Sequence, residues 1–296
     1  MKKSYLFAAT AILCWSTVAV TSKLLLGSHN NFQVLWISAL FAAIFLFVVN
    51  LANGNIKKLK AYKLKDYIIS ILIGLPGGFF YYVFYYAGTD RMLASQAFII
   101  NYLWPIMSIV FACIILKEKM TIRKAVAIII SFLGVAVVAG GDSTKLNGDL
   151  ILGAVFCILG AVSYGVFTAL NQKYDYEQSI SVMISYIASF VLTSIINIAQ
   201  GDLFVPTLVE TLGFVWNGVI TMAIANTVWV MALKAGNTAK ISNLAYITPF
   251  LSMVWTSLIL KEKLNIYFIA GLVVIVLGIF IQLKEKGKKE DLSMQS

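Results

Sequence analysis

Trp104-Pro105, Ser108 and Leu116-Lys117-Glu118-Lys119 come round again, in order and without a gap, as Thr248-Pro249, Ser252 and Leu260-Lys261-Glu262-Lys263, 144 positions further on. At the same offset Tyr102 falls on Tyr246, Gly134 on Gly278 and Val135 on Ile279. The register therefore holds through the next apolar segment, and the chain reads as two copies of one unit. Each copy contains about five apolar stretches of bilayer-crossing length, and an odd number of crossings makes the second copy enter from the opposite side. An inverted repeat of this kind marks an alternating-access transporter.

Composition points to the same class. Mean hydropathy is +0.88, 60% of the 296 residues are hydrophobic and 12% are charged, more apolar surface than a soluble core of this length needs. Apolar runs bounded by charge or turn residues predict spans at Tyr5–Leu26, Phe32–Ala52, Tyr67–Gly88, Leu93–Leu116 and Ala125–Gly140, then Leu150–Leu170, Ile180–Ala199, Gly213–Leu233, Ile241–Leu260 and Ile266–Leu283. The expected fold is all-α: ten transmembrane helices in two inverted five-helix repeats, residues 1–141 and 146–283, with a basic cytoplasmic tail at 284–296. Short connections leave no room for a soluble catalytic or nucleic-acid-binding domain. Lys2-Lys3 before an apolar run imitates a signal peptide, but the run is too long and matches the first helix of the second copy, so it is read as a span.

Charge orients the bundle. With the N-terminus inside, 18 of the 23 lysines and arginines fall on the cytoplasmic side and 5 (Lys23, Arg91, Lys145, Lys261 and Lys263) outside, which places both termini in the cytoplasm of a cell-membrane protein. The net charge of +10 is thereby accounted for by topology and contact with anionic lipid, and a nucleic-acid partner is not expected. No obligate protein partner is evident either.

Chemistry of the ionisable and sulfur groups narrows the function. Cys14, Cys113 and Cys157 sit in apolar segments at no metal-ligand spacing and read as small core residues. His29, the single histidine, follows Gly27-Ser28 in an outer loop and reads as a solvated residue. All thirteen acidic residues fall in loops, tails or helix ends, so no carboxylate is available at mid-membrane for a proton and an organic cation to compete over. Any proton coupling then passes through a loop-end acid such as Glu118 or Glu262, or through the substrate. The same inventory lacks the paired acids or histidines of an intramembrane hydrolase, and no catalytic residue, metal or cofactor is expected.

Aromatic and amide groups fill the apolar segments instead. Gly74-Leu75-Pro76-Gly77-Gly78 should loosen the third helix ahead of Phe79, Phe80, Tyr81, Tyr82, Phe84, Tyr85 and Tyr86, about half of which are expected in an interfacial aromatic belt and the rest in the bundle. Pro105 removes the helical partner of the Asn101 carbonyl, and Pro249 does the same to Ala245. Proline-broken helices at matching positions of two halves point to a binding site, with Pro76, Pro105 and Pro249 as hinges. Trp15 and Ser16 in the first helix, Tyr164 in the sixth, and Asn226 and Trp229 in the eighth are buried polar or aromatic positions that suit the same site. Gly134, Gly140, Gly271 and Gly278 read as close-packing positions. Lys240 aligns with Gln96, so the repeat does not require it, and it reads as a topogenic lysine.

With these residues in view, the chain resembles the drug/metabolite transporter superfamily, in particular its EamA-type ten-helix members, over essentially its whole length. The duplicated leucine-x-glutamate ends at Leu116-Lys117-Glu118 and Leu260-Lys261-Glu262, with prolines upstream, carry the resemblance. Leu13-Cys14-Trp15-Ser16-Thr17, Asn101-Tyr102-Leu103-Trp104-Pro105 and Gly140-Gly141-Asp142 are similar to the aromatic-amino-acid exporter branch. The resemblance implies a central cavity lined by helices one, three, four, six, eight and nine. Small multidrug exporters of the superfamily depend on a first-helix glutamate, where this chain has Trp15 and Ser16.

The expected function is secondary active export of amino acids, aromatic ones included, or related metabolites. Trp15, Tyr82, Tyr85, Trp104, Tyr164, Trp229 and Tyr246 would supply stacking surface, and Ser16, Asn101, Asn226 and Asn243 hydrogen bonds. The alternatives are a broad-specificity drug or metabolite exporter, a small-solute importer, and a membrane-embedded structural or sensory subunit. The topology makes a direct prediction. A membrane-impermeant thiol reagent added outside cells should modify a cysteine placed at position 208 and spare one at 58; the reverse pattern would overturn both the orientation and the inverted repeat.

Overall fold

In the computed structural model, which describes residues 2–140, 148–174, 176–235, 241 and 244–293, every regular element is helical. Eight helices are long and apolar enough to cross a bilayer: α1 Lys3–Leu26, α2 Asn31–Ala52, α3 Leu64–Arg91, α4 Ala94–Ile115, α5 Ile122–Gly140, α6 Gly148–Lys173, α7 Gln178–Gln200 and α8 Leu208–Leu233. Two shorter apolar helices follow, α9 Ala245–Ile259 and α10 Ile266–Ile281. Each of the ten overlaps one predicted span. The helix that contains α10 continues to Ser293, so the segment read as a tail prolongs it.

The principal packing pairs are α5 with α10, α2 with α7, α3 with α6, α1 with α8, α4 with α6, α3 with α7, α2 with α8 and α1 with α9. Exchanging each helix for its repeat mate maps this set onto itself, because α2–α7 and α5–α10 are self-paired, α3–α6 becomes α8–α1, α4–α6 becomes α9–α1, and α3–α7 becomes α8–α2. The bundle therefore has an internal twofold axis. Near it, residues 144 apart meet: Ser131 Oγ donates to the carbonyl of Ile275 at 3.3 Å, and the rings of Tyr102 and Tyr246 lie 6.5 Å apart. The duplicated Leu-Lys-Glu-Lys runs are helix stops. The N–H groups of Leu116 and Glu118 turn back to Ala112 O at 3.0 and 3.4 Å, and those of Leu260 and Glu262 to Thr256 O at 3.0 and 3.3 Å. Lys117 and Lys261 stand at φ 58° and 57°, the left-handed conformation that closes a helix C-terminus and that glycine adopts more readily.

Glycine sets the contact between α5 and α10. A Cβ on Gly134 or Gly271 would come within 2.7 Å of the other's carbonyl oxygen, and one on Gly278 within 2.8 Å of that of Ala127, so α5 and α10 touch backbone to backbone. Gly140, read from sequence as a packing position, has no neighbour within 4 Å of an added Cβ among the described residues. The aromatic run divides about as expected: Phe79, Tyr82, Tyr85 and Tyr86 are buried, Tyr81 and Phe84 half-buried and Phe80 exposed, where this part of α3 packs against α6 and α7. His29 is not solvated. Its Nε2 lies 2.9 Å from Glu210 Oε1 and its ring stacks on Phe204 at a centroid distance of 4.1 Å.

Five helices are interrupted among the described residues. α4 ends one segment at Asn101 and restarts at Trp104, and α9 passes from a 3₁₀ turn at Ala245–Ile247 into a helix starting at Thr248. Pro105 and Pro249 are thus second residues of new helical segments, where a missing N–H removes no bond. α3 carries a π-helical stretch at Pro76–Phe80 and α8 another at Trp216–Ile224, which includes the positions matching 76–80. The second has no proline, and sequence reading did not find it. α1 also breaks, at Thr17, whose Oγ1 donates to Cys14 O at 2.7 Å.

The glycine contact is testable. Gly271→Ala should destabilise the detergent-purified protein by about 1–3 kcal/mol, as overpacking of a closed contact does, and Gly140→Ala should leave its melting midpoint unchanged. Equal midpoints for the two variants would contradict backbone-to-backbone packing of α5 on α10.

Candidate substrate site

The interruptions converge on one cavity. It lies between α1, α3, α4, α6, α8 and α9 and is lined by Trp15, Val18, Tyr81, Tyr82, Phe98, Asn101, Tyr102, Trp104, Tyr164, Thr221, Asn226 and Thr248, with a volume of ≈ 60 Å³. That is room for a few waters. A cleft of ≈ 860 Å³ shares Trp15, Trp104 and Tyr164 with it and runs between Asn171, Gln172 and Leu233 to Tyr176 and Glu177. A second, of ≈ 320 Å³, shares Trp104 and reaches Glu118 and Lys124. Both clefts lead to the face that carries Lys57, Lys58, Lys117 and Lys124, here called the basic face. At the mouth, Lys58 pairs with Glu177 at 2.5 Å, and burial, with the charges of Glu177 and Asp66 nearby, raises the pKa of the Tyr62 hydroxyl.

No charged side chain lines the cavity among the described residues. Its polar groups come from the broken helices. Asn101 closes the first segment of α4; its Nδ2 donates to Tyr81 Oη at 3.0 Å, while its buried Oδ1 has no hydrogen-bond donor among the described residues. Gly160 on α6 makes room for that oxygen, since a Cβ there would sit 3.0 Å from it. Trp104, one turn on, meets Tyr164 edge-on at 5.1 Å, and Tyr164 packs against Tyr81 at 5.0 Å. Trp15 and Trp229 pack at 5.3 Å and carry the aromatic wall into the larger cleft. Trp36, Trp216 and Trp255 donate their indole N–H groups to Ser194, Thr17 and Ser16. Trp15, Trp104 and Trp229 make no such bond among the described residues, and these three face the cavity and its clefts.

The residues singled out from sequence fall into three groups. Trp15, Tyr82, Asn101, Trp104, Tyr164 and Asn226 come together around the cavity, and Trp229 and Tyr246 line its clefts. Ser16 and Tyr85 stand outside that wall. Ser16 Oγ bonds to Leu13 O at 2.8 Å and accepts from Trp255 at 3.0 Å, tying α1 to α9; Tyr85 is fully buried, with its ring parallel to Tyr81. Each projects from the face of its helix that meets a neighbouring helix. Asn243 and Lys240 lie outside the described residues. Sequence reading did not assign Tyr81, Thr221 and Thr248 to the site. Position 248 matches Trp104 in the repeat, and that register was the available signal.

A helical bundle with an uncharged aromatic cavity opening through clefts to one face has the architecture of a membrane transporter. The chain belongs to the EamA-like transporter family, whose model matches it twice, over residues 2–140 and 151–283. An uncharacterized transporter of Clostridium kluyveri is 26% identical over 99% of this chain and 96% of its own. An aromatic amino acid exporter of Salmonella typhimurium is 24% identical over 65% of this chain and 68% of its own, and one of Ancylobacter novellus 22% identical over 83% and 85%. A crystal structure with 20% sequence identity superposes with a TM-score of 0.66 over 95% of this chain and 96% of that one, which supports the fold.

Asn101 and Trp104 offer the sharpest mutational test. Asn101→Ala and Trp104→Ala should each abolish transport at normal expression and detergent stability, and Trp104→Phe should retain part of it. Normal transport by both alanine variants, or loss through unfolding alone, would make this face of α4 packing and not site.

Proposed function

We propose that this transporter exports amino acids, aromatic ones among them, or closely related amphipathic metabolites, by alternating access. The observation that carries the reading is that, among the described residues, Asn101 Oδ1 at the cavity wall has no hydrogen-bond donor and the indoles of Trp15, Trp104 and Trp229, which line the cavity and its clefts, make no hydrogen bond. A zwitterion matches that set. Its ammonium is held by the amide oxygen and the faces of Tyr81, Tyr164 and Trp104, its carboxylate by indole donors, and an aromatic side chain by the wall that continues into the ≈ 860 Å³ cleft, since the cavity alone is too small for it. Being neutral overall, it needs no buried counter-charge, whereas a cation of fixed charge would. Two relatives named as aromatic amino acid exporters support the substrate class.

Direction follows from charge and access. The bias of basic residues sets the basic face in the cytoplasm of a cell (inner) membrane, with both termini inside, and the clefts open to that side. Substrate therefore loads from the cytoplasm, and residues 1–141 and 146–283 rock about the cavity to release it. The partners are a small-molecule substrate and membrane lipid; no cofactor, nucleic acid or obligate protein partner takes part.

Counterflow in proteoliposomes tests the reading. Preloaded phenylalanine, tyrosine or tryptophan should drive uptake of a labelled aromatic amino acid, while the corresponding amides and organic cations should drive little. Exchange with cations and amides to the same extent would favour a broad-specificity carrier. No exchange across a wide metabolite panel would favour a structural or sensory subunit.

A further inference from the structure

The groove on the face opposite the basic one, lined among others by Lys23, Asp90, Arg91, Gln96 and Lys263, shares no wall residue with the central cavity. The cavity is closed on that side, and the closure has a polar clamp at the corner between α3 and α4. The first amide groups of a helix have no partner within it. At the start of α4 they are taken by the second repeat: Ala94 N donates to Glu262 Oε1 at 2.6 Å and Ser95 N to Oε2 at 3.0 Å. Just before them, Lys23 Nζ donates to the carbonyls of Thr89, Asp90 and Met92 at 2.6, 3.2 and 2.9 Å. A cation thus sits on the carboxyl end of α3 and an anion on the amino end of α4, each matched to the helix dipole it meets.

We propose that Glu262 is the latch that holds the transporter shut on this face, acting as a positioning residue for the substrate site and not as part of it. Lys261, at φ 57°, turns the α9–α10 connection out of the helix just before the carboxylate that reaches α4. The two bonds span 168 and 167 residues and tie the two repeats together. α3 and α4 carry Tyr81, Tyr82, Asn101 and Trp104, so opening the cavity toward this face moves their shared corner off the α9–α10 turn. Those bonds must then break. Lys23 holds the same corner from α1, and the two grips release together.

The proposal rests on the alternating-access reading but not on the identity of the substrate. Full-length protein with Cys14, Cys113 and Cys157 replaced and Val18→Cys as reporter is reconstituted, and labelling by an impermeant maleimide is timed from each side of the membrane. Glu262→Gln replaces one acceptor oxygen by a donor facing a donor, and should raise labelling from the face opposite the basic one about tenfold while lowering it from the basic face. Lys23→Gln should act in the same direction, and Glu262→Asp should lie between. An unchanged ratio of the two rates in folded Glu262→Gln, or equal rises from both sides, overturns the latch. Should the glutamine variant fail to fold, Glu262→Asp decides by the same ratio. Because labelling reads access and not flux, a failed substrate assignment leaves the outcome intact.

Discussion

In hydrocarbon every backbone N–H and carbonyl needs a partner, and the bundle is arranged around the places where helices cannot supply one. An unsatisfied peptide group there costs several kcal/mol, so a broken helix is confined to positions beside protein or beside a hydrated cavity. α3, α4, α8 and α9 all break, and all contribute to the cavity wall. At helix ends the same constraint is met by side chains: Lys23 covers the last carbonyls of α3 and Glu262 the first amides of α4. The breaks and the caps are one problem solved twice, at mid-membrane by a cavity and at the surface by charge.

Duplication makes the scaffold symmetric, and departures from it make the site. The α5–α10 pair obeys the internal twofold closely: an added Cβ would lie 2.7 Å from the facing carbonyl oxygen at Gly134 and 2.8 Å from its counterpart at the repeat mate Gly278. At the cavity the symmetry is broken: Asn101 faces a repeat mate that is Ala245, Trp104 one that is Thr248, and Asn226 one that is Tyr82. A twofold-symmetric site would present the same groups at both ends. Here an amide and indoles occupy positions whose repeat mates carry other groups, so the two ends of the cavity differ.

Charge is handled by exclusion. The described wall of the cavity carries none, and the ions that approach it are paired at its clefts, Glu118 with Lys124 at 2.9 Å and Glu177 with Lys58 at 2.5 Å. Keeping charge at the rims leaves polarity at the centre to neutral donors and acceptors, whose desolvation is less costly than that of an ion. Glu118 and Glu262 end equivalent helices on opposite faces, where carboxylates can act on conformation without entering the binding site.

What the sequence by itself determined was everything carried by local pattern. Ten spans, the duplication and the helix stops follow from apolar periodicity and from Leu-Lys-Glu-Lys recurring in register, because bilayer thickness and backbone satisfaction act on each segment separately. Asn101 and Trp104 were legible for the same reason: an amide and an indole beside a proline in hydrocarbon mark a cavity wherever the neighbours lie. Only the tertiary structure decided which way each side chain faces. It turned Ser16 to Trp255 and Tyr85 into the α3–α6 contact, brought His29 to a glutamate 181 residues away, and bent α8 into a π-helix without a proline. It also placed Tyr81 and Thr248 on the wall. Those outcomes depend on which helices meet and at what rotation, a property of the packed bundle that no single segment encodes.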